Sequence, residues 1–111
     1  MLIEPIILKY LNDNLDVPVD TSMPDDLPEK FVIFSVVEHN RKNYIDHATI
    51  EFQSYAKTKL DAAEIDDKVR ELMEDIIFLP EVAASRCGGG NDQNDSDVDR
   101  FRYRCYFNLT Y

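Results

Sequence analysis

The sequence has little glycine and little cysteine, and it has no long apolar run. Its three glycines are consecutive, at 88–90, so no glycine-rich phosphate loop is present, and the GxSxG and HExxH motifs are also absent. Two cysteines, Cys87 and Cys105, are too few for a disulfide framework or a cysteine-only zinc site, so we expect two reduced, buried thiols. Without a signal-peptide pattern or about 18 consecutive apolar residues, a soluble domain made inside the cell is expected.

Basic residues are scarce as well. The chain has 12 Lys and Arg against 22 Asp and Glu, which gives a formal net charge of −10. Affinity for nucleic acids depends mainly on neutralising phosphates, so this charge argues against DNA or RNA binding and against anionic membranes. A length of 111 residues with 44% hydrophobic content predicts one folded domain over residues 1–111. No motif indicates a cofactor.

The first half of the chain predicts a short helix followed by a hairpin. Apolar residues recur at helical spacing over residues 2–14, and residues 16–30 read as a surface connection with one edge strand near Val19. The run FVIFSVV at 31–37 and the alternating stretch 44–55 are typical of strands. Between them lies a polar segment at 39–43, which predicts the turn of the hairpin.

The second half predicts one long helix and two more strands. Residues 58–79 form an amphipathic helix that ends at Pro80, with Asp66, Asp67 and Asp75 on its polar face. A short strand at 82–87 and a flexible loop at 88–99 follow. The last strand alternates regularly from residue 99 onward. The fold class is therefore α+β: a mixed or antiparallel sheet of four to five strands, covered on one face by one long and one short helix.

Two clusters resemble metal sites only superficially. His39 and His47 flank the predicted turn, with Glu38 or Asp46 as further ligands, but nothing else is spaced like a zinc site, so we interpret them as surface histidines. The stretch of Asp95, Asp97 and Asp99 is similar to the start of a calcium loop. Arg100 and Tyr106 stand where that loop needs its glycine and its glutamate, so no metal is predicted.

Three arginines occupy one face of the last strand, namely Arg100, Arg102 and Arg104. Spaced about 7 Å apart, like charges repel unless acidic groups lie opposite them. One interpretation is cross-strand pairing with Glu51 or Glu38. The other is contact with a neighbouring subunit, for which the acidic helix face of Asp66, Asp67 and Asp75 is a candidate.

The pattern of elements resembles the tail terminator, or tail-completion and head-tail joining, proteins of long-tailed bacteriophages. The resemblance lies in the opening helix EPIILKYLNDNL, the VPV segment, the FVIFSVV strand, the strand-helix segment IDHATIEFQSYAKTKLDAAEIDDKVRELMEDI and the closing strand RFRYRCYFNLTY. It covers nearly the whole chain, as a pattern of elements and not as a catalytic signature.

This resemblance implies a virion protein, made in the bacterial cytoplasm, that is not an enzyme. Such subunits form homo-oligomeric rings, often hexamers, that cap the tail tube and meet the head connector while the genome passes through. Contacts along the tube axis are then expected from the hairpin tip and the loop, with candidate residues Asn40, Arg41, Lys42, Asn91, Asp92, Asp95 and Asp97. The alternatives are another phage neck or minor tail subunit of similar fold, and a small acidic inhibitor that binds a basic protein.

Overall fold

In the described part of the chain, two helices and five strands make up the fold, in the order that the sequence predicts. The structure is a computed structural model that describes residues 2–92 and 100–111. The helices are α1 (Glu4–Asn14) and α2 (Lys59–Asp75), and a 3₁₀ turn at Ile76–Phe78 continues α2. The strands are β1 (Val19–Asp20), β2 (Lys30–Lys42), β3 (Ile45–Ala56), β4 (Ala84–Asp92) and β5 (Phe101–Thr110). The predicted order of elements is confirmed.

The strands form one mixed sheet in the order β1-β2-β3-β5-β4. β1 runs parallel to β2, and every other neighbouring pair is antiparallel. β2 and β3 pair over almost their whole lengths, so they make a long hairpin whose closed end extends past the last residue of β5. The long axis of the molecule, 43 Å against 24 Å in the other two directions, reflects these long strands.

Apolar side chains of both helices pack against one face of this sheet. α1 contributes Ile7 and Leu11, and α2 contributes Ala62, Val69 and Met73, all fully buried. From the sheet come the alternate residues of β2, β3 and β5, which are Val32, Phe34, Ile50, Phe52, Cys105, Phe107 and Leu109. Thr58 begins α2 by accepting a hydrogen bond at its Oγ1 from the Asp61 amide, at 3.2 Å. The predicted α+β fold with helices on one face is therefore confirmed.

The turn of the β2–β3 hairpin is shorter than predicted. Residues 39–42 belong to β2 and only Asn43 and Tyr44 form the turn, both with positive φ (53° and 65°). A two-residue turn of this kind matches the twist of the strands it joins. The polar segment 39–43 was thus wrongly assigned to a loop, because β2 continues beyond the apolar core and its side chains there face solvent.

β4 also differs from its prediction. The strand runs over Ala84–Asp92 instead of 82–87, so the three glycines lie in the strand and not in a loop. A bulge between Cys87 and Gly89 interrupts the pairing with β5, and Gly89 has a φ of 117° that side-chain-bearing residues rarely adopt. The remainder of the predicted loop, residues 93–99, lies outside the described residues.

The cysteines do not share one environment. Cys105 is buried in the core, as predicted, whereas Cys87 is exposed on β4, so the prediction of two buried thiols is wrong for Cys87. The Cys87 side chain points to the helix face from the edge strand β4, where the helices do not cover it, so this thiol is open to solvent. Across the described ranges, no helix is long and apolar enough to cross a bilayer.

Candidate interaction surfaces

Arg102 and Arg104 lie on the sheet face opposite the helices, whereas Arg100 directly precedes β5 and does not lie within it as predicted; each of the three has partners within the chain. Arg100 donates hydrogen bonds to the carbonyl oxygens of Leu27 (3.3 Å) and Pro28 (3.1 and 3.2 Å). It therefore ties the segment before β2 to the start of β5. Whether a neighbouring subunit also touches Arg100 stays a prediction.

Arg102 and Arg104 belong to a polar network on the same face. Arg102 donates to Gln53 Oε1 at 3.3 Å, and the Tyr55 hydroxyl donates to the same oxygen at 2.8 Å. Arg104 forms an ion pair with Glu51 at 3.7 Å, and Gln53 donates its amide to Glu51. Of the two interpretations of the arginine row, the structure contains the cross-strand pairing, and it is with Glu51 and not with Glu38.

This face also buries two aromatic rings that the sequence analysis did not single out. Phe31 and Tyr55 are opposite each other in β2 and β3, and their rings stack at a centroid distance of 4.7 Å. Both are buried although they lie outside the main core cluster. The sequence does contain a signal for this pair. Phe31 begins the first strand of the predicted hairpin and Tyr55 ends the second, so two aromatic residues are expected opposite each other at the open end of the hairpin. Such a cross-strand pair stabilises the sheet end where Arg100 binds.

The predicted acidic face of α2 is only partly exposed. Asp67 and Asp75 face solvent, whereas Asp66 is 6% exposed and lies between α2 and the sheet. Asp66 was therefore wrongly placed on the solvated face. Its Oδ2 accepts a hydrogen bond from Arg70 Nε at 2.8 Å, one turn further along the helix. Because Arg70 of the same helix already pairs with the buried Asp66 carboxylate, this carboxylate does not require an arginine from a neighbouring subunit.

Burial sets the electrostatics of this cluster. It raises the pKa of the Asp66 carboxyl, and the positive charge of Arg70 opposes that rise. Burial also raises the pKa of the neighbouring Cys105 thiol, and the negative charge of Asp66 raises it further. Cys105 therefore stays protonated at neutral pH and is no nucleophile.

The closed end of the β2–β3 hairpin combines exposed basic side chains with an exposed aromatic ring. We call Arg41, Lys42, Asn43 and Tyr44 the hairpin tip. Tyr44 is 90% exposed, and the Arg41 guanidinium lies 5.9 Å from its ring centroid. Asn40 is exposed beside the tip, on β2. The predicted tip residues are thus brought together, and the aromatic ring between them was not among the predicted contacts.

The two histidines lie on opposite faces of the sheet. His39 Nε2 is 2.9 Å from Asp46 Oδ1, and its ring stands against Tyr111. His47 Nδ1 lies 3.2 Å from the Thr110 hydroxyl. Among residues 2–92 and 100–111, no group of three potential ligands could hold a metal ion.

The predicted loop contacts divide between two regions. Asn91 and Asp92 lie at the end of β4, opposite Arg104 and Tyr103 in β5. Asp95 and Asp97 fall outside the described residues, as does the rest of the aspartate-rich stretch. The basic hairpin tip and the end of β4 are at opposite ends of the sheet, because β4 reaches Asp92 where β3 approaches Ala56.

No family model matches the chain, and no curated protein matches it. The function must therefore be argued from the fold and its surfaces.

Proposed function

We propose that this chain is a non-enzymatic structural subunit of a long-tailed phage or prophage. It forms a ring that caps the tail tube and joins the tube to the head connector. The proposal builds on the resemblance of the sequence to tail terminator proteins. It is supported by an α+β fold with the element order on which that resemblance depends.

The observation that carries the proposal is the hairpin tip. A chain with a formal net charge of −10 places two cations and a nearly fully exposed tyrosine at one end of its longest hairpin. Exposed tyrosine and arginine are the residues that protein interfaces favour at their centres. We infer that the tip contacts an acidic surface along the axis of the tail, on the tube or on the connector.

The overall charge fits a ring through which a genome moves. A negative surface repels phosphates, so DNA slides past it without binding. A closed ring also needs two different complementary patches on each subunit.

The decisive experiment deletes the gene from the phage or prophage that carries it. Without a terminator nothing stops the addition of tube protein, so we expect tails of widely varying length with no heads attached, seen by electron microscopy. Supplying the wild-type chain restores tails of one length. Tails of normal length that only lack heads would indicate a neck protein, and unaltered virions would contradict both roles and favour the inhibitor alternative.

A tip variant tests the carrying observation. The double substitution Arg41→Ser and Tyr44→Ser removes the charge and the ring and leaves the core intact, so we expect it to fold but to restore few tails. Lys68→Ser is the matched control, since it removes an exposed cation from α2. Equal restoration by both variants would exclude the tip as a contact.

A further inference from the structure

Among the described residues, both long edges of the sheet have strand positions without a neighbouring strand. β4 forms one edge, and at the other edge the two-residue β1 pairs only with Val32 and Ile33 of β2. In the part of the chain that the structure describes, no strand lies outside β4 or outside residues 34–42 of β2. Edge strands of this length present rows of amide and carbonyl groups that readily pair with another strand.

The register shows which backbone groups point outward. Asp46 and Tyr111 exchange two backbone hydrogen bonds, at 3.1 and 3.0 Å, and this sets the alternation along β3 and β5. The pairing of β5 with β4 extends this alternation to the edge strand. In β4, the backbone N–H and C=O groups that point away from β5 are therefore those of Ser85, Cys87, Gly90 and Asp92. In β2 they are those of Phe34, Val36, His39 and Arg41. The bond from the Val32 amide to the Pro18 carbonyl, at 2.9 Å on the outer side, agrees with this assignment.

The two edges share one spacing. Each contains a single bulge, between Cys87 and Gly89 in β4 and between Val36 and Glu38 in β2. The outward positions 85, 87, 90 and 92 are therefore two, three and two residues apart, and so are positions 41, 39, 36 and 34. An antiparallel alignment with Cys87 opposite His39 brings the pairs 85–41, 87–39 and 90–36 into full hydrogen-bonding register at once. At the fourth position only the carbonyl of Phe34 is open, because the parallel pairing of Ile33 with Asp20 uses the Phe34 amide.

The directions of the strands fit as well. β2, β3, β5 and β4 alternate in direction, so β4 runs antiparallel to β2 of its own chain. Two copies placed side by side in the same orientation therefore present β4 and β2 to each other as antiparallel strands. Cys87 is opposite the buried Phe107 and His39 is opposite the buried Ala48, so both side chains lie on the helix face and the helices of both copies stay on one side.

We propose that β4 of one copy pairs with residues 34–42 of β2 in the next copy, so that the sheets of neighbouring subunits join edge to edge. The inference rests on the proposed ring, because this pairing uses two different edges and a closed ring leaves neither open. The spacing is also compatible with pairing of β4 with β4 about a two-fold axis. That arrangement leaves the β2 edge open in both copies, and it would appear in the test below as a dimer.

Disulfide trapping in the full chain tests the junction. The variant His39→Cys places a new thiol opposite the native Cys87 of the next copy. Cα atoms in a hydrogen-bonded antiparallel pair are about 5.5 Å apart, within the range that a disulfide spans. After mild oxidation we expect linked dimers, trimers and larger species on a non-reducing gel, because each copy makes two such links.

Two further variants control the experiment. Asn40→Cys moves the thiol by one residue to the other face of β2, so it should form few links with Cys87. If His39→Cys lowers the melting temperature by disturbing the contact with Asp46, a second pair replaces it: Ser85→Cys and Arg41→Cys in a Cys87→Ser background. Thermal melts verify that each variant is folded.

The oligomer is measured independently of the links, by light scattering on the wild-type chain alone and with purified tail tubes. Rings that form without links in either cysteine pair would overturn the edge junction and leave the ring proposal standing. Links that stop at the dimer would overturn the head-to-tail arrangement. A chain that stays monomeric with and without tubes would overturn both proposals.

Discussion

The two faces of the sheet are built from different chemistry. The face under the helices consists of apolar side chains such as Phe34, Phe52 and Phe107, whose rings contact one another. The opposite face carries charged and polar groups, among them Glu51 and Arg104, that bond across strands. Burial on the first face is non-directional and supplies most of the stability, whereas the bonds on the second depend on geometry and specify register.

The largest expected difference between the two faces is found by replacing adjacent residues of β3 with alanine, one on each face. Phe52→Ala should lower the free energy of unfolding by about 3–5 kcal/mol, because the cavity left between the Phe34 and Phe107 rings cannot close fully. Gln53→Ala, one residue along on the other face, should cost about 1 kcal/mol. Urea unfolding measures both, and equal losses would contradict the contrast between the faces.

The second prediction concerns the ion pair of Asp66 and Arg70, which lies between α2 and the sheet. Arg70→Leu leaves the buried Asp66 carboxylate without its partner, which should cost about 2 kcal/mol near neutral pH, since Arg70 itself is partly exposed. Arg86→Leu, at an exposed arginine of β4, is the matched control and should change little.

The same pair predicts how stability depends on pH. Burial raises the pKa of Asp66 above its ordinary value of 3.8, so the folded chain holds this proton more tightly than the unfolded chain does. The contribution of Asp66 to stability therefore falls as the pH rises from the ordinary to the raised pKa. Arg70→Leu raises that pKa further. Its loss of stability should disappear when the pH is lowered below about 4, and a loss independent of pH would contradict this account.

A third prediction tests how much the ion pair of Glu51 and Arg104 contributes on the sheet face opposite the helices. A double-mutant cycle with Glu51→Gln and Arg104→Gln should give a coupling free energy of about 1 kcal/mol, because the pair is largely shielded from water but 3.7 Å apart. The coupling should shrink in high salt less than that of the exposed pair Lys9–Asp13 does. A coupling of zero would mean that the network adds no stability of its own.

The smallest effect on stability is expected at the hairpin tip. Tyr44→Ser should change the free energy of unfolding by less than about 0.5 kcal/mol, because the ring is 90% exposed. The same variant should restore tail assembly poorly. A large loss of stability would show instead that the ring holds the hairpin together.

Periodicity predicted the elements that contact the core. Each of these elements buries one face, so its apolar residues recur with the period of the strand or helix. This gives the alternation over 101–110 and the helical spacing over 58–79, where the structure has β5 and α2. The prediction was wrong where β2 leaves the core, since polar residues on a solvated strand look like a loop. It was also wrong at the glycines, because their position in β4 depends on what packs over them.

The candidate site was less predictable than the fold. The pairing of Arg104 with Glu51 was among the alternatives that the sequence left open, and the register decided between them. Asp66 was misplaced because a charged residue beside the apolar stripe of a helix is expected in solvent, whereas here it is buried with Arg70 as its partner. No local pattern reveals the matching bulges of β2 and β4, which emerge only when the strands are aligned.

Gly90 has a consequence for the evolution of the chain. A Cβ atom at this position would collide with the Arg70 guanidinium and with the backbone carbonyl of Arg104, so the helix and the strand meet there without a side chain between them. A slip of β4 that moved Asn91 into that space would bring a Cβ atom into the same collision, whereas a slip in the other direction would bring Gly89 there. Gly90 thus restricts the register of β4. We expect substitutions to be tolerated less well at Gly90 than at the exposed Gly88, which should accept other small residues.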